Sequence, residues 1–193
     1  MEEFYSLQGE GFHTGQPAWF IRIGGCDVGC RWCDAKESWN ASLFPPVSAD
    51  DVAERAAGCP ARAVVVTGGE PMLYNLGYLS ERLASFGLKT FLETSGSQPI
   101  SGTWDWICLS PKKGSPPLPE VLRLADELKI IIFEKDDFIW AEENARITGS
   151  ECYLYLQPEW SRSAERIPEI VEYIKGHPRW RISLQSHKYM HIP

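Results

Sequence analysis

The sequence predicts an α/β fold in which a mostly parallel sheet packs against helices. Short runs rich in β-branched and aromatic residues alternate with stretches of helical periodicity along the 193 residues of the chain. This alternation is typical of parallel strands joined by right-handed helical crossovers. The apolar content of 44% is that of a globular protein, and 193 residues suffice for one core. We therefore expect a single soluble domain over residues 1–193.

Seven segments have the composition expected of strands. Residues 62–66 include three consecutive valines, and such an uninterrupted apolar run indicates a strand that is buried on both faces. The predicted strands cover residues 18–23, 62–66, 89–92, 106–109, 128–133, 153–156 and 180–184.

Five further segments have helical character. Ser48 is a favourable N-cap for a helix that runs to about residue 57, with two aspartates in its first turn. A second helix is indicated by four apolar residues at the spacing of one buried face, namely Leu76, Leu79, Leu83 and Phe86. The three other predicted helices cover residues 118–125, 137–146 and 164–175.

Polar residues follow six of the strands at the point where each strand ends. In parallel sheets and barrels, the carboxyl ends of the strands form the edge at which ligands bind. One polar turn is common and means little, but six at the same edge predict one shared binding site. They are the cysteine loop after residue 23, Thr67-Gly68-Gly69-Glu70-Pro71, Glu93-Thr94-Ser95-Gly96, Ser110-Pro111-Lys112, Gln157-Pro158-Glu159 and Gln185-Ser186-His187.

Charge balance and the amino-terminal sequence argue against several classes of protein. Nineteen basic and 26 acidic side chains give a net charge of −7, which disfavours sequence-independent binding to nucleic-acid phosphates. The aromatic residues are scattered, as core and interface residues are, and form no base-stacking pattern. The first residues lack a basic segment followed by an apolar run, and no stretch reaches about 18 apolar residues. We expect a cytoplasmic protein with neither a nucleic-acid nor a membrane partner.

Three of the six cysteines stand together in the pattern Cys26-x3-Cys30-x2-Cys33. Without a secretion signal, such cysteines are metal ligands more often than disulfide partners. Two or three residues between thiols let a short loop place three sulfurs on one iron–sulfur cluster, which leaves one iron of a four-iron cluster open for chemistry. The alternatives are a zinc site completed by His13, within a zinc-stabilised binding module, and a ferredoxin-like electron carrier.

This spacing, with aromatic Trp32 before the last cysteine, resembles the signature of the radical S-adenosylmethionine (radical SAM) superfamily. The resemblance implies a [4Fe-4S] cluster on Cys26, Cys30 and Cys33, with its open iron chelated by SAM. Reductive cleavage of SAM would then give a 5′-deoxyadenosyl radical that takes a hydrogen atom from the substrate. The segment Thr67-Gly68-Gly69-Glu70-Pro71 resembles the Gly-Gly-Glu-Pro element of the same superfamily. Its glycines would let the backbone approach SAM, and the Glu70 carboxylate would accept from the ammonium group.

Segments at both ends of the chain are similar to the 7-carboxy-7-deazaguanine synthases, a family within this superfamily. Residues 4–11 and 183–188 carry the similarity, together with Asp34 after the last cysteine and the polar segments after the strands. The resemblance implies a carbon–nitrogen lyase that converts 6-carboxy-5,6,7,8-tetrahydropterin to 7-carboxy-7-deazaguanine with release of ammonia, toward queuosine and other 7-deazapurines. It also implies an incomplete TIM-type barrel of parallel strands, a homodimer, and an electron donor such as flavodoxin or ferredoxin.

The same resemblance assigns residues of this chain to particular roles. Those around SAM would be Trp32, Cys33, Asp34, Gly69, Glu70, Ser110, Pro111, Lys112, Gln157, Pro158, Glu159 and Trp160. Those that bind the pterin would be Leu7, Gln8, Gly9, Arg22, Thr67, Glu93, His187 and Pro193. Arg22 would pair with the substrate carboxylate, and Glu93 and His187 would in addition be catalytic.

The chain departs from the family pattern at two places. Members commonly have Asp-Thr or Asp-Ser after the last cysteine, and the hydroxyl ligates a Mg²⁺ ion shared with the substrate. Here the pair is Asp34-Ala35, and Ala35 has no side-chain oxygen. Magnesium held through Asp34 or water, and no magnesium at all, both stay open. The chain also begins just before Phe4, so we expect the leading strand of the family to be clipped.

A glycyl-radical activating enzyme is the nearest rival, because it uses the same cysteine spacing. Such an enzyme would dock a large protein partner, and it would need neither the Gln8-Gly9-Glu10-Gly11 element nor the tail around His187. Formation of the deazaguanine from the carboxytetrahydropterin separates the two activities. Metal analysis of anaerobically prepared protein separates both from the zinc alternative.

Overall fold

Eight strands form one sheet in the computed structural model, which describes residues 2–193. They are β1 (Glu2–Leu7), β2 (Pro17–Ile23), β3 (Ala63–Gly68), β4 (Lys89–Thr94), β5 (Trp106–Leu109), β6 (Glu127–Ile132), β7 (Tyr153–Pro158) and β8 (Trp180–Ile182). Their order in the sheet is their order along the chain. Strands β2 to β8 are parallel, and β1 pairs antiparallel with β2. Within the described residues β8 does not pair with β1, so the barrel is open, which confirms the expected partial TIM-type α/β fold.

Helices cover the outer face of this sheet. They are α1 (Ala49–Ala57), α2 (Gly77–Ser85), α3 (Pro119–Leu122), α4 (Asp137–Ala145), α5 (Ser163–Gly176) and α6 (Ser186–Met190). Short 3-10 turns lie at Lys36–Trp39, Ala41–Leu43, Pro71–Leu73 and Trp160–Arg162. One apolar core forms where α1 and α2 pack on β2–β4, and a second forms where α3–α5 pack on β5–β7. Fully buried leucines such as Leu83 and Leu92 each stabilise the fold by about 2 kcal/mol.

Polar side chains point to the inside of the barrel, because successive residues of a strand face opposite sides of the sheet. The register places Glu93 of β4 opposite Cys108 of β5, and Cys108 opposite Glu127 of β6. On β6, Leu128, Ile130 and Ile132 belong to the outer core, so Glu127 and Lys129 face inward. A polar interior along β4 to β6 follows from this alternation.

The amino end of the barrel is filled by the loop between β1 and β2, residues 8–16. Phe12 stacks on Trp106 with ring centroids 4.7 Å apart, and His13 stacks on Phe91 at 4.2 Å. The Glu127 carboxylate accepts hydrogen bonds from the backbone N–H of Phe12 and from Nε1 of Trp106, each at 3.2 Å. Burial raises the pKa of Glu127. The β1–β2 loop therefore covers the amino end of the barrel.

All seven predicted strands are present, with boundaries shifted by at most two residues. The leading strand is present as β1, which pairs with β2 from Glu2 opposite Arg22 to Leu7 opposite Pro17, although it was not among the seven predicted strands. This edge strand mixes acidic, hydroxyl and aromatic residues, a composition that gives a weak strand signal.

Helices α1, α2, α4 and α5 are present close to their predicted bounds, but details of the predictions fail. Ser48 stands at the N-cap position of α1, and its side chain makes no capping hydrogen bond. The helix expected over residues 118–125 is shortened to α3, and Leu124 beyond its end is 55% exposed. Phe86 lies just past the end of α2 and is 37% exposed, so it does not complete the buried face. Helix α6 was not expected. In the described part of the chain, no helix combines the length and the apolar character that crossing a bilayer requires.

Candidate active site

A cavity of about 380 Å³ opens at the carboxyl ends of strands β2 to β7. It brings the cysteine loop together with the polar segments that follow the strands. The residues that the sequence singled out and that line this cavity are Cys26, Cys30, Trp32, Cys33, Asp34, Thr67, Gly69, Glu70, Glu93, Ser110, Lys112, Gln157, Pro158, Glu159 and Trp160.

The three cysteines of the loop after β2 line this cavity, and their thiols are free. Gly25 and Gly29 adopt φ angles of 106° and 65°. These positive values let the loop turn back on itself, and residues with a side chain rarely adopt them. The loop is fastened by a hydrogen bond of 2.6 Å from Gly25 N to Ser38 O. Trp39 donates its Nε1–H to Cys33 Sγ at 3.3 Å. The loop is thus shaped to present sulfur to the cavity.

The electrostatics of the thiols fit an iron–sulfur cluster. Burial raises the pKa of Cys30, the ammonium of Lys112 opposes this rise, and the thiols of Cys33 and Cys26 add to it. Cys30 therefore lies close to the two other thiols, and their sulfurs are soft ligands of the kind that an iron–sulfur cluster takes. His13 does not line the cavity and lies against Phe91. The structure does not bring the fourth ligand of the zinc alternative to the thiols.

The glycine segment after β3 packs directly on the cysteine loop. A Cβ atom at Gly69 would lie 2.1 Å from the carbonyl oxygen of Gly25, and one at Gly68 would lie 2.2 Å from that of Ile23. The backbone N–H of Gly69 donates to Ile23 O at 2.9 Å, and that of Glu70 donates to Gly25 O at 2.8 Å. Only glycine fits at positions 68 and 69, because any side chain would push the two loops apart.

The Glu70 carboxylate is 1% exposed and already has a full set of donors. Its Oε1 accepts from Met72 N at 3.0 Å and Thr94 Oγ1 at 2.5 Å, and its Oε2 accepts from Ser95 N at 2.9 Å and Ser95 Oγ at 2.5 Å. A carboxylate offers about four acceptor positions. The expectation that Glu70 accepts from the ammonium of SAM does not agree with this geometry; the carboxylate instead joins the loops after β3 and β4.

Ser110 and Lys112 form a compact unit after β5. Lys112 Nζ donates to Ser110 Oγ at 2.7 Å and also to the carbonyl oxygen of Ser110. Burial lowers the pKa of Lys112, and the nearby Cys30 opposes this. Pro111 between them is buried and lies outside the cavity lining. The unit places one cation beside the thiols.

The carboxylate of Glu93 is held in place by two hydrogen bonds and can accept more. Gln8 Nε2 donates to its Oε1 at 2.8 Å, and Thr67 Oγ1 donates to its Oε2 at 3.2 Å. About two of its four acceptor positions are left for other donors. Glu93 is therefore a carboxylate of the cavity wall that can accept hydrogen bonds from a ligand.

A buried ion pair lies in the wall between these groups. Lys129 Nζ contacts Glu10 Oε2 at 2.5 Å, and Gln185 Nε2 donates to Glu10 Oε1 at 2.9 Å. Burial raises the pKa of Glu10, but the charge and hydrogen bond of Lys129 outweigh it and lower that pKa to about 2. The charge of Glu10 likewise overcomes the effect of burial on Lys129 and raises its pKa well above the usual value. Both groups are therefore ionised.

The carboxyl-terminal segment is fastened to the β1–β2 loop beside the cavity. Ser186 donates from both N and Oγ to Gly9 O at 2.9 Å, and Gly11 N donates to Ser183 Oγ at 2.9 Å. The His187 ring packs so closely on Gly9 that a Cβ there would lie 2.1 Å from Nδ1. Gly9 and His187 are thus in contact with each other at the edge of the site and do not line the cavity.

The other expected pterin-binding residues also lie outside the cavity lining. Arg22 pairs with Glu2 at 2.9 Å and lies over the ring of Phe4, so it would have to leave Glu2 to meet a substrate carboxylate. The carbonyl oxygen of Pro193 accepts from Ser6 Oγ at 3.1 Å. Gln8 reaches the site only through Glu93, and Leu7 ends β1 as a half-buried residue.

Several cavity residues have no individual role in the predictions made from the sequence. Glu10 and Gln185 belong to segments named there, whereas Arg31, Lys36, Cys108, Lys129 and Lys188 were not singled out as site residues. Lys129 could have been found, because it interrupts an otherwise apolar strand, Leu-Lys-Ile-Ile-Ile, at an inward-facing position. Lys188 gives no such signal, since a lysine in a short terminal segment is ordinary.

Comparison with known proteins gives matches over most of the chain. The model of the radical SAM superfamily matches residues 20–187. A 7-carboxy-7-deazaguanine synthase of Flavobacterium psychrophilum is 54% identical over 193 residues, which are 100% of this chain and 91% of that protein. One from Synechocystis is 46% identical over 191 residues, covering 99% of this chain and 91% of that protein.

Two solved structures also match the fold of this chain. The crystal structure of QueE from Escherichia coli superposes with a TM-score of 0.85 at 33% identity, covering 96% of this chain and 92% of that one. Streptococcus suis SuiB bound to S-adenosylmethionine shares the fold, with a TM-score of 0.57 at 14% identity over 84% of this chain and 45% of that one.

Proposed function

This chain belongs to the radical SAM superfamily and, within it, to the 7-carboxy-7-deazaguanine synthases, and we propose that it converts 6-carboxy-5,6,7,8-tetrahydropterin to 7-carboxy-7-deazaguanine with release of ammonia. It is thus a carbon–nitrogen lyase of the route to queuosine and other 7-deazapurines. The observation that carries the proposal is the cavity in which three free thiols share one space with Thr67 and Glu93.

The cofactors that the superfamily implies fit the residues present. Cys26, Cys30 and Cys33 would hold a [4Fe-4S] cluster. Gly69, which lines the cavity, and the Ser110–Lys112 unit would hold SAM, joined by Trp32, Asp34 and the segment 157–160. When bound, the cluster and SAM supply one-electron chemistry that removes a hydrogen atom from an unactivated carbon. The protein walls keep bulk water away from that chemistry.

The substrate-facing part of the proposal rests on Glu93. Its carboxylate is oriented by Gln8 and Thr67 and keeps acceptor positions for the N–H groups of a pterin. Leu7, Gly9, Arg22, His187 and Pro193 complete the proposed pterin-binding set at the edge of the cavity. His187, fixed against Gly9, is proposed to move a proton as ammonia leaves.

We further propose that residues 1–193 act as one domain in a cytoplasmic homodimer. The single continuous sheet supports one domain, and six free thiols are compatible with a reducing compartment. Reduction of the cluster requires an electron donor, and flavodoxin or ferredoxin is proposed for that part. Size-exclusion chromatography with light scattering tests the dimer.

An anaerobic assay tests the proposed function. The reconstituted protein is incubated with the carboxytetrahydropterin, SAM and a reductant, and the product is identified by mass spectrometry. Formation of 7-carboxy-7-deazaguanine together with ammonia is expected. A protein that carries the cluster and cleaves SAM but leaves the pterin unchanged would overturn the assignment and favour a glycyl-radical activating enzyme.

A further inference from the structure

The segment after Cys33 lacks the oxygen ligands that a magnesium site would need. Ala35 has no side-chain oxygen, and its carbonyl oxygen already accepts from Ser38 N at 3.0 Å and from Ser38 Oγ at 2.6 Å. Mg²⁺ requires near-octahedral oxygen ligation at short distances and does not accept N–H donors as neighbours in its shell. Position 35 therefore contributes no ligand through either its side chain or its backbone.

One oxygen of the preceding carboxylate, that of Asp34, is already paired with donors of the protein itself. Lys188 Nζ lies 2.8 Å from Asp34 Oδ2, and Gln185 Nε2 donates to the same oxygen at 3.1 Å. Both donors come from the carboxyl-terminal segment. A divalent cation at this oxygen would face an ammonium group and an amide N–H, and both repel it.

The ammonium group of Lys188 is held in place from other sides. It donates to Gln185 Oε1 at 3.2 Å and lies 5.1 Å from the ring centroid of Trp160. Its side chain is 20% exposed, and it lines the cavity together with Asp34, Gln185 and Trp160. The Lys188 ammonium is thus a fixed cation at the cavity wall beside Asp34. It has three N–H groups, and two of them donate to Asp34 Oδ2 and Gln185 Oε1, which leaves one N–H without an oxygen acceptor.

We infer that this chain binds its substrate without a divalent metal ion, and that the Lys188 ammonium is the cation beside Asp34. The inference rests on the proposed function, because it concerns the cation that meets the anionic pterin. It predicts that an oxygen of the substrate accepts a hydrogen bond from the remaining N–H of Lys188. The residues 34 and 35 of this chain thus disagree with the magnesium site implied by the family resemblance.

Metal binding and substrate binding can be measured without turnover. Mn²⁺ is titrated into the reconstituted protein in the presence of SAM and the pterin but no reductant, and free Mn²⁺ is followed by electron paramagnetic resonance. Substrate affinity is measured by calorimetry in metal-free buffer and again with Mg²⁺. The wild-type protein should bind no Mn²⁺, and its affinity for the pterin should change by less than about twofold with Mg²⁺.

Variants separate the two parts of the inference. Lys188→Met should weaken pterin binding roughly tenfold or more, and Lys188→Arg should recover most of that loss because the charge returns. The double variant Ala35→Thr/Lys188→Met should gain a Mn²⁺ site and a dependence of pterin affinity on Mg²⁺. Lys175→Met and Ala84→Thr are matched controls, since both residues are exposed and neither lines the cavity.

Each contrary result has a definite meaning. One tightly bound Mn²⁺ per wild-type chain, or pterin binding that requires Mg²⁺, would overturn the inference and leave the proposed function intact. Unchanged affinity in Lys188→Met would overturn the role of the lysine. A wild-type protein that does not bind the pterin with or without Mg²⁺ would instead contradict the proposed function.

Discussion

Nζ of Lys129 lies 2.5 Å from Oε2 of Glu10, so that a buried ion pair joins the middle of β6 to the loop between β1 and β2. The same loop reaches Glu93 through Gln8 and Glu127 through the backbone of Phe12. Strands β4 and β6 therefore both fix the loop that carries the proposed pterin-binding residues. The position of this loop therefore depends on polar contacts inside the barrel as well as on the stacking of Phe12 and His13.

Breaking this pair should impair both stability and substrate binding. Lys129→Met leaves Glu10 buried and uncompensated, and we expect a loss of about 3 kcal/mol in the free energy of unfolding and a raised KM for the pterin. The double variant Lys129→Met/Glu10→Gln should recover part of the stability. Denaturant unfolding and steady-state kinetics measure the two effects. Lys113→Met, which breaks the Lys113–Asp137 pair outside the cavity, should leave KM unchanged.

Acid should destabilise the protein through Glu10. The pKa of this group is lowered from 4.5 to about 2 in the folded protein, so its contribution is present above the unfolded value and is lost as the pH falls through the folded one. A shift of this size corresponds to about 3 kcal/mol, lost between about pH 4.5 and pH 2. Over this pH range, the free energy of unfolding should depend less on pH in Glu10→Gln than in the wild-type protein. Equal pH dependence in the two proteins would exclude Glu10 as the source.

The cysteine loop and the scattered cysteines should behave differently. Cys30→Ala removes one of three thiols in the cavity wall, and we expect iron content, the visible absorption of the reconstituted protein and turnover all to be lost. Cys59→Ala should keep all three, because Cys59 does not line the cavity. Iron and sulfide analysis after anaerobic reconstitution is the measurement. Equal loss in both variants would contradict the assignment of the ligands.

Replacement of Gly68 should disturb the contact between the two loops. Gly68 has a φ angle of 139°, and a Cβ there would lie 2.2 Å from the carbonyl oxygen of Ile23. Gly68→Ala should lower the stability by roughly 2–4 kcal/mol and reduce cluster occupancy. Gly114→Ala is the control, since a Cβ there meets no atom within 4 Å. Wild-type cluster content and melting temperature in Gly68→Ala would show that the loops can separate without cost.

Glu93 offers a test of the substrate-facing wall. Glu93→Gln keeps the size of the side chain but replaces one carboxylate oxygen, an acceptor, by an NH2 group, which donates. We expect kcat/KM for the pterin to fall by about 100-fold. SAM binding and iron content should stay as in the wild type, since Glu93 contacts Gln8 and Thr67 and no cysteine. Glu81→Gln on the surface is the matched control. A variant with wild-type kinetics would remove Glu93 from the site.

Most of the fold could be predicted because each buried strand has a strong local signal. Val64, Val65 and Val66 or the isoleucines of β6 identify a strand without any tertiary information. Strand β1 could not be found in this way, because its pairing with β2 is a long-range property of an edge strand with mixed composition. The shortness of α3 has the same origin, since only the tertiary context leaves Leu124 exposed.

The cavity was predicted at the level of segments and less well at the level of atoms. Motif spacing indicated that Cys30 and Glu70 belong to one edge of the sheet, and both line the cavity. It could not reveal that Thr94 and Ser95 saturate the Glu70 carboxylate, because those donors come from the next strand. Nor could it reveal the contact of Asp34 with Lys188, which lie 154 positions apart.

The hydrogen bonds that join Ser183 and Ser186 to the β1–β2 loop, from Gly11 N to Ser183 Oγ and from Ser186 Oγ to Gly9 O, have a consequence for biogenesis. These serines follow all eight strands in the sequence, so the ribosome adds them after the cysteine loop and the strands have been synthesised. The contacts that hold the β1–β2 loop beside the cavity can therefore form only after the segment that follows β8 has been synthesised.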